Sequence, residues 1–219
     1  MLDLKVVQVT PFAQNCSLFY DTVSKEGVVV DPGGDVERIK AAVEQFGIKL
    51  KAIWLTHGHV DHAGGAAEIK EMYDIPIIGP HKADQFWLDD IERLCAQYGF
   101  PGAGRNVTPD RYLDDGDRVD VAGVTFDVVF TPGHSPGHVV FINKDLKFAF
   151  VGDTLFQGSV GRTDLPQGNG PQLIHSIKNK LFPYGDDIRF VPGHGGMSTF
   201  GQEREHNPFV GKNASIDFT

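Results

Sequence analysis

The sequence contains little cysteine and no long apolar segment, and each absence excludes a class of protein. Cys16 and Cys95 are the two cysteines in 219 residues. They exclude a disulfide scaffold and predict two buried thiols in a reducing compartment. No segment approaches the ~20 apolar residues of a membrane span. Residues 1–12 alternate apolar and polar side chains as a strand does, unlike a signal peptide. We therefore expect a cytoplasmic protein without a membrane segment.

Basic residues are also few. The 20 Lys and Arg against 29 Asp and Glu give a formal net charge of −9. A protein that neutralises a phosphate backbone needs a basic surface, so we expect no nucleic-acid partner. The same charge repels anionic metabolites unless a local positive charge overcomes it. Length and composition otherwise predict one globular domain over residues 1–219.

The apolar period switches repeatedly between two and 3.6 residues, which predicts strands alternating with helices. The predicted strands are 4–9, 17–21, 27–30, 52–55, 76–79, 118–121, 125–130, 139–142, 148–151 and 188–191. The predicted helices are 36–46, 63–72, 82–87, 91–98 and 171–180. Because the strands form hairpin-like clusters on both sides of helical stretches, two packed sheets flanked by helices fit better than a doubly wound sheet. The aromatic-rich segment 81–109 is either a helical excursion packed on the core or a flap over an active site.

Five of the nine histidines follow apolar strands. AIWLTHGHVDHAGG contributes three of them, and VVFTPGHSPGH and IRFVPGHGG contribute one each, while FAFVGDTLF presents an aspartate in the same position after its strand. Strand ends that converge at one sheet edge can place such side chains around a single point. Imidazole and carboxylate donors at this density predict a metal site. The candidate ligands are His57, His59, Asp61, His62, His134, Asp153 and His194.

The spacing within HGHVDH indicates more than one site. In an extended loop His57 and His59 point the same way, because side chains repeat every two residues. Asp61 and His62 are expected at a helix entrance, where they face a different direction. One short segment is therefore predicted to supply two adjacent metal sites.

The H-x-H-x-D-H motif with distant His, Asp and His resembles the signature of the metallo-β-lactamase superfamily. The resemblance implies an α/β fold of a single domain, the four-layer αββα sandwich. It also implies a hydrolase with two divalent metal ions, zinc or else iron or manganese, since histidine and carboxylate sites accept all three. The implied ligands are His57, His59 and His134 for one ion, Asp61, His62 and His194 for the other, and Asp153 as the bridge.

The resemblance further implies a mechanism. Two divalent ions, two aspartates and a bridging hydroxide leave about one positive charge, the local attraction that an anionic substrate requires on an acidic protein. Ions about 3.5–4 Å apart hold such a hydroxide within reach of a carbonyl. Asp61 is expected to orient it.

The run GDTLFQGSVGRTDLPQGN resembles both glyoxalase II (hydroxyacylglutathione hydrolase) and the persulfide dioxygenases, whereas PGHGGMSTFGQEREHNPF resembles the short, single-domain bacterial type of glyoxalase II. Asp153 stands where metallo-β-lactamases proper usually have cysteine. The resemblance implies cleavage of a glutathione thioester, S-D-lactoylglutathione to D-lactate and glutathione, in methylglyoxal detoxification. It implies a chain without the C-terminal helical domain that grips glutathione in longer enzymes. Two alternatives stay open: an iron-dependent glutathione persulfide dioxygenase and a broader thioester or ester hydrolase.

Arg162 and Asp164 stand where the longer enzymes have a lysine and a tyrosine. The planar guanidinium of Arg162 suits a glutathione carboxylate, and a salt bridge to Asp164 is an equally supported alternative. His138 is expected to support the metal site or to begin a strand, without ligating a metal. His81 and His175 receive no catalytic role.

Overall fold

The computed structural model describes residues 1–100 and 104–215, whose strands form two large sheets and one small hairpin. The first sheet has five strands in sequence order. The first three pair antiparallel to one another, and the third, fourth and fifth pair in parallel. Its strands are β1 (Leu2–Val9), β2 (Gln14–Asp21), β3 (Glu26–Val30), β4 (Lys49–Trp54) and β5 (Ile77–Ile78).

The second sheet has six strands in the order β13-β12-β9-β8-β7-β6, and β10 and β11 form the hairpin. The strands are β6 (Arg118–Val121), β7 (Val124–Phe130), β8 (Val139–Asn143), β9 (Phe148–Gly152), β10 (Leu155–Phe156), β11 (Ser159–Val160), β12 (Arg189–Pro192) and β13 (Ser198–Thr199). Strands β6 to β9 form an antiparallel meander, and β12 pairs with β9 in parallel.

The helices bury apolar stripes against the sheets. In the first of them, Val36, Ile39 and Val43 are buried at the spacing of one helix face. The α-helices are α1 (Val36–Phe46), α2 (Val60–Ala63), α3 (Ala66–Tyr73), α4 (Gln85–Leu88), α5 (Ile91–Tyr98), α6 (Gly170–Ser176) and α7 (Phe200–His206). A π-helical turn (Ile177–Leu181) continues α6, and 3₁₀ turns occupy Lys82–Asp84 and Phe182–Tyr184. None of the described helices is both long and apolar enough to cross a membrane.

Alternation along the strands divides the interior into three apolar layers. In β2, Phe19 belongs to the layer between the sheets, whereas Leu18 and Tyr20 belong to the layer under α1 and α3. In β8, Phe141 lies between the sheets and Val140 lies in the layer under α6 and α7. Side chains on a strand point alternately to opposite faces, so each sheet buries both faces. The fold is therefore the αββα sandwich that the sequence predicts.

Aromatic rings fill the layer between the sheets. The fully buried Trp54 ring lies 5.4 Å from that of Phe126 and 5.1 Å from that of Phe141, measured between centroids. Phe19 contacts Phe126 edge-on at 5.5 Å and Phe150 at 5.9 Å. These edge-to-face and tilted contacts hold the two sheets together.

The structure contains all ten predicted strands, within a few residues at their ends, and the predicted buried, unpaired cysteines. The predicted helix 63–72 is α3, which begins three residues later, and the sequence prediction missed the single turn of α2, which Gly64 and Gly65 separate from α3. A Cβ on Gly64 would lie 2.6 Å from the carbonyl oxygen of Gly33, and one on Gly65 would lie 2.7 Å from that of Pro32. The chain turns where these glycines pack directly on the loop after β3.

Three other differences are local. The predicted helix 82–87 is a 3₁₀ turn followed by α4, and 171–180 is α6 followed by the π-helical turn. The sequence prediction missed α7 and the short strands β10, β11 and β13. Two-residue strands are too short for a period of two to be detected.

Trp54→Ala is expected to lower the free energy of unfolding by about 3–5 kcal/mol, because it leaves a cavity between the sheets. Trp54→Phe is expected to cost clearly less. It keeps most aromatic contacts and removes an indole N–H that has no hydrogen-bond partner among the described residues. Urea unfolding followed by circular dichroism measures both variants. Equal losses for the two would contradict the assigned role of the ring.

Candidate metal centre

The candidate ligands lie at one edge of the sandwich because three strands of the second sheet run in the same direction. β7 and β9 are both antiparallel to β8, and β12 is parallel to β9. The loops that follow these strands carry His134, Asp153 and His194. The first sheet joins the same edge, since the amide of Val139 donates to the carbonyl of Thr56 at 2.8 Å. The loop after β4 therefore meets the other three.

Three histidines form the first donor group. The candidate ligand atoms of His57, His59 and His134 all lie within 4.8 Å of one another. Their ring centroids are 4.6–4.9 Å apart and the three side chains are buried. Three converging imidazoles are a common donor set for a divalent transition metal.

Asp61, His62 and His194 form the second group, again within 4.8 Å. Asp153 lies between the two groups. Its Oδ1 is 3.3 Å from His62 Nε2, and its Oδ2 is 3.5 Å from His134 Nε2 and 3.6 Å from His194 Nε2. The structure thus brings all seven predicted residues together, with one carboxylate adjacent to both groups. Asp61 and His62 lie in the first turn of α2, the helix entrance at which the sequence predicts them.

Hydrogen bonds orient the imidazoles on the side away from the centre. The Thr56 hydroxyl donates to Asp31 Oδ2 at 2.6 Å and so accepts from His57 Nδ1 at 3.0 Å. The Nδ1–H of His62 donates to the same Asp31 oxygen at 2.9 Å. Asp31 also accepts the Thr56 amide at 2.8 Å. It lies near His57 and His62 in a third possible donor cluster, but these bonds make it the acceptor that fixes their tautomers.

Backbone carbonyls orient two more imidazoles. The Nδ1–H of His134 donates to the carbonyl of Arg162 at 2.7 Å, and that of His194 donates to the carbonyl of Phe12 at 3.1 Å. Among the described residues, five buried atoms that could bind a metal have no hydrogen-bond partner: the Nε2 atoms of His57, His59, His62 and His134, and Asp153 Oδ1. Buried polar atoms are rarely left without partners. These donors therefore fit a bound cation.

Burial sets the charge of the first group. It lowers the pKa of His57 and His134, and it lowers the pKa of His59 to about 3. In the second group burial also disfavours the imidazolium of His62, but the carboxylates of Asp153 and Asp61 raise its pKa overall. Burial opposes ionisation of Asp153, and the neighbouring histidines nevertheless lower its pKa. The first group therefore consists of neutral imidazoles beside an ionised carboxylate, the state that binds metal, whereas a cation in the second group has to displace a proton from His62.

His138 supports the centre as the sequence predicts. Its Nε2 accepts the amide hydrogen of Asp153 at 3.0 Å, and its Nδ1 pairs with the Thr131 hydroxyl at 3.1 Å. Gly152 precedes Asp153 with φ +49°, a conformation that favours glycine. A Cβ there would lie 2.5 Å from Thr56 Oγ1 and 2.6 Å from His138 Nε2.

Asp84 is a residue that the sequence reasoning missed. This fully buried carboxylate accepts from the amide of Gly58 at 2.8 Å, the hydroxyl of Ser135 at 2.7 Å and the amide of Gly137 at 2.5 Å. Burial raises its pKa to about 6, while the three hydrogen bonds favour the charged form. It joins the loop of His57 to the loop of His134. No local pattern marks it, whereas Asp31 directly follows a buried strand as the ligands do.

Five of the seven candidate ligands line a cleft of about 590 Å³: His59, Asp61, His134, Asp153 and His194. Its other lining residues are Phe12, Val60, Trp87, Leu94, Tyr98, Phe156, Ser159, Val160, Arg162 and Leu165. The segment 81–109 supplies one wall through α4 and α5, and its residues 101–103 lie outside the described part of the chain. Arg162 lines the cleft and makes two 2.7 Å hydrogen bonds to Asp164. His81 and His175 bind Ala83 and Asn179 instead of entering the centre.

Residues 9–194 match the family model of the metallo-β-lactamase superfamily. The chain therefore belongs to this superfamily of metal-dependent hydrolases, as its fold and donor set indicate.

Individual relatives are similar over nearly the whole chain. Hydroxyacylglutathione hydrolase GloC of Haemophilus influenzae is 40% identical over 210 residues, 95% of this chain and 98% of that protein. The structure of the BLEG-1 B3 metallo-β-lactamase is similar with a TM-score of 0.86 and 34% identity, covering 95% of this chain and 99% of its own. TTHA1623 in a di-iron-bound form has a TM-score of 0.84 and 35% identity, covering 94% and 99%.

Asp84→Ala is expected to lower the free energy of unfolding by about 2–4 kcal/mol, because three buried donors lose their acceptor at roughly 1–3 kcal/mol each, less the desolvation of the carboxylate. The two loops also lose their link, so the metal content of the purified protein should fall. Ser135→Ala removes one of the three donors and is the control. Chemical unfolding and elemental analysis measure both effects, and a loss in Asp84→Ala no greater than that in Ser135→Ala would refute the role.

Proposed function

We propose that this chain hydrolyses glutathione thioesters at a centre of two divalent cations, converting S-D-lactoylglutathione to D-lactate and glutathione in methylglyoxal detoxification. The observation that carries the proposal is the pair of donor groups with Asp153 between them, at the base of an open cleft. The 40% identity to hydroxyacylglutathione hydrolase GloC over almost the whole chain supports the choice of a glutathione thioester.

Seven side chains of the chain would hold the two cations. We assign His57, His59 and His134 to one cation and Asp61, His62 and His194 to the other, with Asp153 serving both. Zinc is the proposed metal, although the donor set also suits iron and manganese. One similar structure holds two irons.

Bound divalent cations supply Lewis acidity towards a carbonyl and lower the pKa of a coordinated water to about 7. The Asp61 carboxylate lies on the cleft wall, with its Oδ2 3.1 Å from His194 Nε2. We propose that it orients the attacking water. A thiolate leaves from a parent thiol of pKa near 8.5, so the chain need not donate a proton to it.

The decisive assay measures S-D-lactoylglutathione hydrolysis by the purified protein beside its content of zinc, iron and manganese. We expect turnover that is lost on chelation and restored with about two cations per chain. Oxygen uptake with glutathione persulfide and one iron per chain, without thioester cleavage, would select the dioxygenase instead. Hydrolysis that survives complete removal of metal would overturn the two-cation centre.

His59→Ala and Asp61→Ala are each expected to lower turnover by more than about 100-fold, since even residues that only support metal ligands typically cost 10- to 100-fold. The far-ultraviolet circular dichroism should stay that of the unsubstituted protein. His175→Ala, an exposed position on α6, is the matched control. Near-normal turnover in the two centre variants at full metal content would refute their assignment.

A further inference from the structure

Two exposed aromatic side chains face each other at the mouth of the cleft. Among the described residues, Phe12 and Tyr98 are the aromatic members of the exposed large hydrophobics, at 46% and 47% exposure. Both line the cleft, and their rings meet edge-on at 5.6 Å. The buried ring of Phe100 lies 5.3 Å from Phe12 and so backs the pair. Exposed aromatic side chains that cluster at one cleft mark a surface that binds apolar groups.

The apolar lining continues to the base of the cleft. Trp87 packs edge-on against the His59 ring at 4.6 Å, and Phe156 lies 6.2 Å from the His194 ring. Leu94 and Leu165 line the cleft as well. A substituent attached next to a carbonyl held at the centre therefore meets apolar side chains.

The cleft offers few charged partners for the glutathione part of a substrate. Glutathione carries two carboxylates and one ammonium group. Among the described residues that line the cleft, Arg162 is the sole lysine or arginine, and its guanidinium is already paired with Asp164 through two hydrogen bonds. Arg162 can offer its remaining N–H donors to one carboxylate. Burying the other charged groups against Phe12 and Tyr98 would be unfavourable.

We infer that the apolar wall binds the acyl group of the substrate and that the preferred substrates are thioesters with large apolar, aromatic acyl groups. The inference rests on the proposed thioesterase function and narrows it. A lactoyl group ends in one methyl, which leaves most of the wall without contact. In a hydrophobic pocket each added methylene changes kcat/KM by about 10- to 200-fold, so a phenyl group in place of that methyl should give a clear preference.

The test compares S-mandeloylglutathione with S-D-lactoylglutathione. Both carry a 2-hydroxyacyl group on the same thiol and differ by phenyl against methyl. Each kcat/KM is divided by the rate of uncatalysed hydroxide cleavage, which removes their difference in intrinsic reactivity. We expect the mandeloyl ester to be favoured by at least about tenfold. Cleavage of the lactoyl ester with no such preference would overturn the inference alone, whereas cleavage of neither ester would overturn the proposed function and the inference with it.

Substitutions in the wall locate the preference. Phe12→Ala keeps the carbonyl that orients His194, and Tyr98→Ala removes the ring that contacts Phe12. Each is expected to lower the mandeloyl-to-lactoyl ratio at least about fivefold, with metal content and circular dichroism retained. Met72→Ala, an exposed hydrophobic position on α3 outside the cleft, should leave the ratio as it is. An unchanged ratio in both wall variants would overturn the inference.

Discussion

The position of Asp153 is the constraint on which both donor groups depend. Its backbone is held by His138, and its carboxylate can lie between His62 and His134 only because β9 ends in Gly152. Any side chain there would displace the Thr56 hydroxyl, which orients His57 and hydrogen-bonds to Asp31. Because Gly152 has no Cβ, the end of β9 can pack directly against Thr56 and so against the loop that carries His57.

This arrangement has a cost in stability that the rest of the fold offsets. Donor atoms buried without partners are unfavourable, and each would gain more from water than from its present surroundings. Three apolar layers supply the compensating burial, and the aromatic layer between the sheets holds the two sheet edges in register. Because a cation binds only the assembled set of loops, its binding free energy adds to the stability of the folded state. Apolar burial in the layers thus offsets the cost of the unpartnered ligand atoms, and cation binding would stabilise the assembled centre further.

The sequence predicted the convergence of the ligands because each follows an apolar strand, and strand direction then places the loops of β7, β9 and β12 at one edge. It also predicted His138 as a supporting residue. It could not predict Asp84, which lies in a short helical turn and acts on two loops distant in the chain. It began the helix of α3 three residues too early because alanine favours helices, whereas the contact of Gly64 with the loop after β3 is tertiary.

In this chain of net charge −9, Arg162 orients a metal ligand through its backbone but adds little free positive charge to the cleft. Its carbonyl fixes His134, while its side chain, shared with Asp164, gives the cleft little free positive charge. Two divalent cations beside the carboxylates of Asp61 and Asp153 would leave a net positive charge, so attraction of an anionic thioester comes from the base of the cleft. This attraction does not depend on which uncharged acyl group the thioester carries. Selectivity among thioesters must therefore come from the uncharged wall, where contact area changes with the size of the substituent.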